Sequence, residues 1–489
     1  VSRKKRKNKQ GVSGNKKPLE VRNASAKPRT TRRGGLPVDN APPPIESLKQ
    51  VNANAAGIDI AANVHFVAVP KDRDAEHPVR SFGAFTADLD AIADWLSECR
   101  IETVAMESTG VYWIPLFEVL ERRGFTVILV EPSQIKKFRR KTDVLDCQWI
   151  QTLHTFGLLT GSFRPEDQII VLRAYMRQRE MLVKSAAQHI QHMQKAMEQM
   201  NLKLTEVISD ILGATGMAII DAILAGERDP HQLAKLRNEK CKNDEATIAL
   251  ALQGNWRDEH LFSLRQAMDL YRYYHQKIVE VDNQIEAYLR QFDDQSGGKP
   301  LAKPPRAKQR SKTTNEPKFD TRTMLYEMLG VDLTSIDGIG AHSALQIVSE
   351  IGITVDAFPT EKHFVSWLSL CPEANKSGGK KQKKGKSPTH RSSNRVAQTL
   401  RVCAQTLIQS KCALGAFGRR LRGRDGAASA ITAIARKLAI IVYTMLKTGR
   451  PYKDIGADAY NGRFQEKLVA SLRRRATELG YDLQPNLAV

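Results

Sequence analysis

From Leu172 to Ile211 an apolar residue recurs at alternating steps of three and four. The members are Leu172, Met176, Val183, Ala186, Ile190, Met193, Met197, Met200, Leu204, Val207 and Ile211, with Arg179 the one polar position in the register. A strand repeats every two residues, so a seam kept for about five heptads is helical and predicts a long coiled-coil helix. Such a stripe needs a partner. A second seam runs through Leu264, Met268, Tyr271, Ile278, Ile285, Leu289 and Phe292, with His275 and Asp282 as polar interruptions. Between the two lies a helical patch closed by Gly226-Glu227-Arg228-Asp229-Pro230. The seams can pair within one chain or between chains. Pairing between chains is the favoured expectation for at least one of them, which would make the segment a dimer scaffold.

Upstream the texture differs. Ala56–Ile60, Val64–Val69 and Val79–Phe85 read as three short strands in succession. A helix over Leu89–Leu96, a strand at Thr103–Met106, a helix over Val111–Arg123, a strand at Phe125–Val130 and a helix from Asp143 to Phe156 follow. This order predicts an α/β domain built on a mixed sheet. Downstream, from about Phe319, the chain reads as mostly helical, with breaks at Gly338, Gly352, Gly378-Gly379 and Gly385.

The 489 residues carry 75 Lys+Arg and 53 Asp+Glu, a net charge of +22. Three segments hold more than all of it: residues 1–36 at +12, 296–318 at +6 and 376–395 at +8. All three are rich in Gly, Pro, Ser and Lys, a composition that suits flexible arms over packed cores. Basic arms of this kind neutralise phosphates and release counterions, so nucleic acid is the expected partner. A membrane is not expected. The most apolar run, Ile431 to Leu446, is broken by Arg436 and Lys437, and the first 36 residues lack the apolar stretch of a secretory signal. The six cysteines are scattered, no two closer than nine positions. This excludes CxxC zinc or redox motifs and predicts reduced thiols in a cytoplasm.

Four acids of the first domain stand out by position. Asp59 sits mid-strand in Gly57-Ile58-Asp59-Ile60, where a carboxylate is unfavourable unless it lies at a working edge. Glu107 ends a strand and precedes Ser108-Thr109-Gly110. Asp143 and Asp146 begin a helix at i, i+3 spacing, on one face. Crowded carboxylates repel, and a divalent cation relieves that repulsion. Mg²⁺, or Mn²⁺, takes oxygen ligands and keeps open positions for phosphate oxygens. Acids on a first strand, on a later strand end and on a following helix match an RNase H-like (RuvC-like) nuclease site. The basic run Lys136-Lys137, Arg139-Arg140-Lys141 stands beside them.

In the downstream region Ile336-Asp337-Gly338-Ile339-Gly340 with Ala344 fits a helix–hairpin–helix turn. Gly338 and Gly340 would then let backbone N–H groups face a phosphate. Ser377 lies in Asn375-Lys376-Ser377-Gly378-Gly379-Lys380, where Lys376 and Lys380 would stabilise an alkoxide and hold a phosphate. By residue type alone, Ser-Gly-Gly equally suits a linker. Arg391 and Arg395, in Arg391-Ser392-Ser393-Asn394-Arg395, are further phosphate-binding candidates, as are Arg419, Arg420, Arg422 and Arg424.

Taken together, GIDIAANVHFVAV, AMESTGVYWIP, KTDVLDCQWI, GERDP, GNWRDEHLFSLRQAMDLY, IDGIGAHSA, KSGGK and RSSNRVAQTLR resemble a transposase of the insertion-sequence 110 family, in its insertion-sequence 1111 branch. The resemblance spans about residues 54–455. It implies a RuvC-like domain, a coiled-coil segment and a C-terminal transposase domain. Asp59, Glu107, Asp143 and Asp146 would be the metal-binding acids. Ser377 would be the nucleophile that forms a transient phosphoserine link to DNA, with Ser387 and Ser392 as the alternatives in the same Lys-rich stretch. The resemblance also implies a structured non-coding guide, the bridge RNA, which pairs with donor and target DNA. The domain organisation expected on these grounds is a basic arm at 1–48, a RuvC-like domain at 49–165, a helical coiled-coil domain at 166–295, a basic linker at 296–318, a serine-containing transposase domain at 319–455 and a tail at 456–489. The basic arm and the linker exceed the family's core pattern. The expected protein is a cytoplasmic, nucleoid-associated recombinase, acting as a dimer or as two dimers around a four-stranded junction. Its rivals are a metal-dependent junction resolvase that uses the acids without a serine, and a non-enzymatic nucleic-acid-binding protein whose acids are structural.

Overall fold

The computed structural model describes residues 49–135, 142–303, 315–372 and 394–484. The chain divides into two compact units between Ser162 and Phe163.

The first unit opens with β1 (Ala55–Ile60), β2 (Val64–Ala68) and β3 (Val79–Gly83). There follow α1 (Thr86–Glu98), β4 (Thr103–Glu107), α2 (Trp113–Arg122), β5 (Thr126–Val130), a single turn α3 (Pro132–Ile135) and α4 (Asp143–Thr155). The strands form one mixed sheet in the order β3-β2-β1-β4-β5. β1 and β3 pair antiparallel with β2, and β4 pairs parallel with β1 and with β5. Short links suffice for the two hairpins, whereas the parallel pairs need the crossovers that α1 and α2 supply. Period-2 alternation sends Ile58, Ile60, Val104 and Met106 to one face, against Leu89, Ile92 and Leu96 of α1 and Leu116 and Leu120 of α2. Ala105 and Val130 face the other way, with Ile135 and Ile150 of α3 and α4. This mixed sheet with flanking helices fits an RNase H-like domain.

The second unit is helical. It begins with α5 (Asp167–Gln199), then the short α6 (Leu204–Val207), α7 (Ala214–Ala225), α8 (Pro230–Ala234) and α9 (Glu245–Ala251), followed by α10 (Asp258–Leu289). α5 and α10 lie against each other and run antiparallel. Tyr288 Oη donates to the Gln168 carbonyl, Arg179 pairs with Asp282, and His189 stacks on Tyr274. The two seams therefore meet within one chain. This within-chain pairing is the alternative to the favoured pairing between chains, and it buries Leu172, Met176 and Ala186 on one side and Tyr271, Ile278, Ile285 and Leu289 on the other, with Val183 and Ile190 half-buried. The first seam is also not one helix to Ile211. α5 stops at Gln199, and Asn201 takes a left-handed φ of 56°, a conformation that Asn tolerates better than most residues. Leu204 and Ile211 turn instead into a second core with Ile219, Ile223, Leu233 and Ile248.

GERDP makes the corner of that core. Gly226 ends α7 at φ +109°, and Asp229 caps α8 by accepting from the His231 amide. Arg228 donates to the Ile223 and Glu227 carbonyls at 2.6 and 2.7 Å, and its guanidinium lies 4.9 Å from the Trp256 ring.

The remaining helices are α11 (Thr321–Leu329), α12 (Ala341–Ile351), α13 (Glu361–Trp367), α14 (Arg395–Leu407), α15 (Ala413–Asp425), α16 (Ala427–Thr448) and α17 (Ala457–Glu478). α11 to α16 share a core with the Leu172/Leu289 end of the long pair. Among the described residues α16 alone has the length and composition to cross a membrane. Its Ile434, Leu438, Val442 and Met445 are buried in this core. Residues 457–478, expected as part of a tail, form the helix α17, which has no buried residue.

Candidate active site

The direction of α4 decides where the acids lie. The amides of Val51 and Asn52, ahead of β1, donate to the carbonyl of Thr155 at the C-terminal end of α4 (2.9 and 3.0 Å). Thr103 Oγ1, at the start of β4, is 2.9 Å from His154 Nε2. Further along β1, Gly57 abuts the middle of the helix: a Cβ added there would stand 2.2 Å from the Gln151 nitrogen and 2.5 Å from the Cys147 oxygen. α4 therefore runs antiparallel to β1 and β4. Its N-terminal turn reaches the edge at which both strands end.

That edge carries the four acids. The parallel register pairs Gly57 with Ala105 and Ile58 with Met106, so Asp59 is level with Glu107. Alternation puts Asp59 on the same face as Gly57, and Glu107 on the same face as Thr103 and Ala105, in both cases the face covered by α4. Asp143 and Asp146 occupy the first turn of α4, where the positive end of the helix dipole favours carboxylates. Thr142 caps this turn, its side chain accepting from the Leu145 amide. Asp59, Glu107 and Asp146 are half-buried and Asp143 is exposed. Glu107 Oε1 accepts from Thr109 Oγ1 at 3.0 Å. The Cys147 thiol, buried beneath the edge, is pushed up to about 12, first by burial and then by the charges of Asp59 and Asp146.

Chemically this is an all-oxygen donor set on three elements, which suits a hard divalent ion such as Mg²⁺. Among the described residues no three His, Cys, Asp or Glu side chains stand together as a ready-made cage. The carboxylates share an edge without closing on a point.

Ser377, Lys376, Lys380 and Arg391, together with Ser387, Ser392 and the basic run 136–141, lie outside the described residues. Arg395 opens α14 and is engaged by acids: it pairs with Glu180 of α5 and stands 3.9 Å from Glu350 of α12. Gly338 has φ +83°, and a Cβ there would meet Leu407 at 2.8 Å and the Cys403 carbonyl at 3.0 Å. Close packing against α14 thus requires this glycine whatever it binds. Gly340 has open space around its α-carbon and begins α12.

Two further contributors lie outside the candidate residues of the sequence. Gly57 lets α4 approach β1, and Thr142 sets the start of α4. A glycine two residues before the strand acid, and a threonine directly before Asp143, were the available signals.

Comparison with known families gives two matches. A DEDD-type IS110 model, described as a transposase, matches residues 56–202. A second model, described as a transposase of the IS116/IS110/IS902 family, matches residues 332–417. No curated protein matches the chain.

Proposed function

Because the chain belongs to the IS110 family of transposases, we propose that it moves its own element by cutting and rejoining DNA strands through a transient phosphoserine, guided by a structured RNA. The family assignment supports a DNA transposase or recombinase. The observation that carries the chemical reading is the edge where β1, β4 and the first turn of α4 end together with Asp59, Glu107, Asp143 and Asp146.

In this reading those four carboxylates hold Mg²⁺ or Mn²⁺, and a bound divalent ion supplies charge neutralisation and polarisation of the phosphodiester. The Ser377 oxygen attacks the phosphorus. A serine O–P bond forms, the P–O bond to the leaving strand breaks, and the leaving oxygen takes up a proton. Attack by a second strand's hydroxyl reverses these steps and frees the serine. Lys376 and Lys380 would steady the alkoxide and the phosphate. Gly338, Gly340 and Arg391 would hold DNA or RNA backbone. Arg395, already paired with acids, would reach a phosphate only by leaving them. Membership of the insertion-sequence 1111 branch, a bridge RNA as guide, a dimer or paired dimers, and work at the nucleoid in a bacterial cytoplasm belong to the same proposal.

The test compares wild type, Ser377→Ala and Asp143→Asn on donor and target DNA, with Mg²⁺ or with EDTA. The RNA that co-purifies from cells carrying the native flanks is sequenced in parallel. We expect a covalent protein–DNA adduct that needs Ser377, the acids and the metal, and one discrete RNA complementary to donor and target. Strand cleavage without an adduct would assign the reaction to the acids alone, as in a junction resolvase. Random or absent RNA would remove the guide.

A further inference from the structure

Apolar side chains stand exposed beside the acidic edge. Val111 and Tyr112, in the loop that leaves Glu107, are 66% and 47% exposed. Val144 and Leu145, between Asp143 and Asp146, are 42% and 49% exposed. An apolar patch rimmed by polar groups is the kind of surface that marks a ligand-binding site. A nucleic-acid strand offers its broadest apolar surface on its base faces, and in a duplex those faces are hidden by stacking. An apolar rim at a phosphodiester site therefore suits a strand with a base out of its stack.

Tyr112 is the aromatic member, and the backbone around it is held in place. One edge of its ring is on the side of Gly110 (φ +56°), with Cδ2 and Cε2 3.5 Å from where a Cβ on that glycine would be. Directly after it α2 begins, whose second residue, Ile114, donates its amide to the Val111 carbonyl at 3.2 Å. On the other side, Thr109 ties the loop to Glu107. The backbone that carries the ring is thus tied down close in sequence to Glu107, one of the four acids, and the ring is partly open to solvent. We propose that Tyr112 is a stacking platform for an unpaired DNA base next to the phosphodiester on which the acids act. This rests on the DNA strand-cleavage reading above.

The full-length protein is titrated with a short single-stranded oligodeoxynucleotide carrying 2-aminopurine, and with the matching oligoribonucleotide. Tyr112→Ala should weaken DNA binding between about five- and a hundredfold, the range for losing one stacked base. The salt dependence should not change, because phosphate contacts remain. Tyr112→Phe should bind as wild type. The 2-aminopurine emission should fall on binding to wild type and Tyr112→Phe, and should fall much less with Tyr112→Ala. Wild-type affinity in Tyr112→Ala, or equal losses in the Phe and Ala variants, would overturn the platform. A loss confined to the RNA probe would overturn its assignment to DNA. Failure of the cleavage reading would register separately, as wild-type protein that binds these probes with the Tyr112-dependent signal but cuts no DNA.

Discussion

Gly57 shows how one missing side chain positions a site. Both groups that a Cβ would meet there are backbone atoms of α4, and backbone cannot rotate away as a side chain can. Gly57→Ala should push α4 off β1 and cost about 1–3 kcal/mol of stability, the usual scale of overpacking. Thermal melting would measure it, and strand cleavage should fall as the α4 acids shift from Asp59. Two histidines set a pH limit. Burial holds His154 and His342 down at about 4, against an ordinary value of 6.5. Between those values the unfolded chain binds a proton that the folded chain refuses, so stability falls as pH falls through the window. The slope should approach about 1.4 kcal/mol per pH unit for each histidine, and the effect vanishes above the ordinary value. Denaturant midpoints between pH 7 and 4 would show it, and His154→Gln should remove one histidine's share of the slope.

At the scale of elements, the antiparallel pair α5/α10 carries a buried ion pair where two cores meet. Met176 and Ile285 belong to one core, and Leu182 and Ile278 to the other. Arg179 and Asp282 lie between them, with side chains only 2% and 5% exposed and contacts of 2.6 and 3.3 Å. Removing one partner leaves a buried charge with no counter-charge, so Asp282→Ala should cost about 3–5 kcal/mol. Replacing both by leucine should restore most of that stability, because the desolvation cost of both charges disappears. Chemical denaturation of both single variants and the double variant would measure the coupling. The same pair explains two polar breaks in the heptad registers: each is the other's partner.

At the scale of the molecule, the three basic segments contain a net charge larger than the chain's +22. They fall mainly outside the described residues, while the two folded units hold the acids and the helices. Affinity and geometry are thereby separable. Deleting residues 1–36, which carry +12, should weaken nucleic-acid binding and flatten the dependence of log K on log salt, since fewer counterions are released. Melting of the folded units should hardly change. Binding measured over a series of salt concentrations would test both statements.

The sequence alone determined the periods, the order of elements in the sheet unit, the chemistry and order of the four acids, and the placement of charge. These are local properties: alternation every two residues, steps of three and four, and residue types at element ends are all visible along the chain. It could not determine what each stripe packs against. A heptad seam states that a partner is required, and α5 and α10 became each other's partner through contacts about a hundred residues apart, such as Arg179–Asp282. Nor could it show that the acids share an edge. That follows from α4 running antiparallel to β1 and β4, which is set by Val51, Asn52 and Thr103 meeting the far end of the helix. Such contacts leave no period in the sequence, because they join residues whose separation along the chain is unrelated to any local repeat.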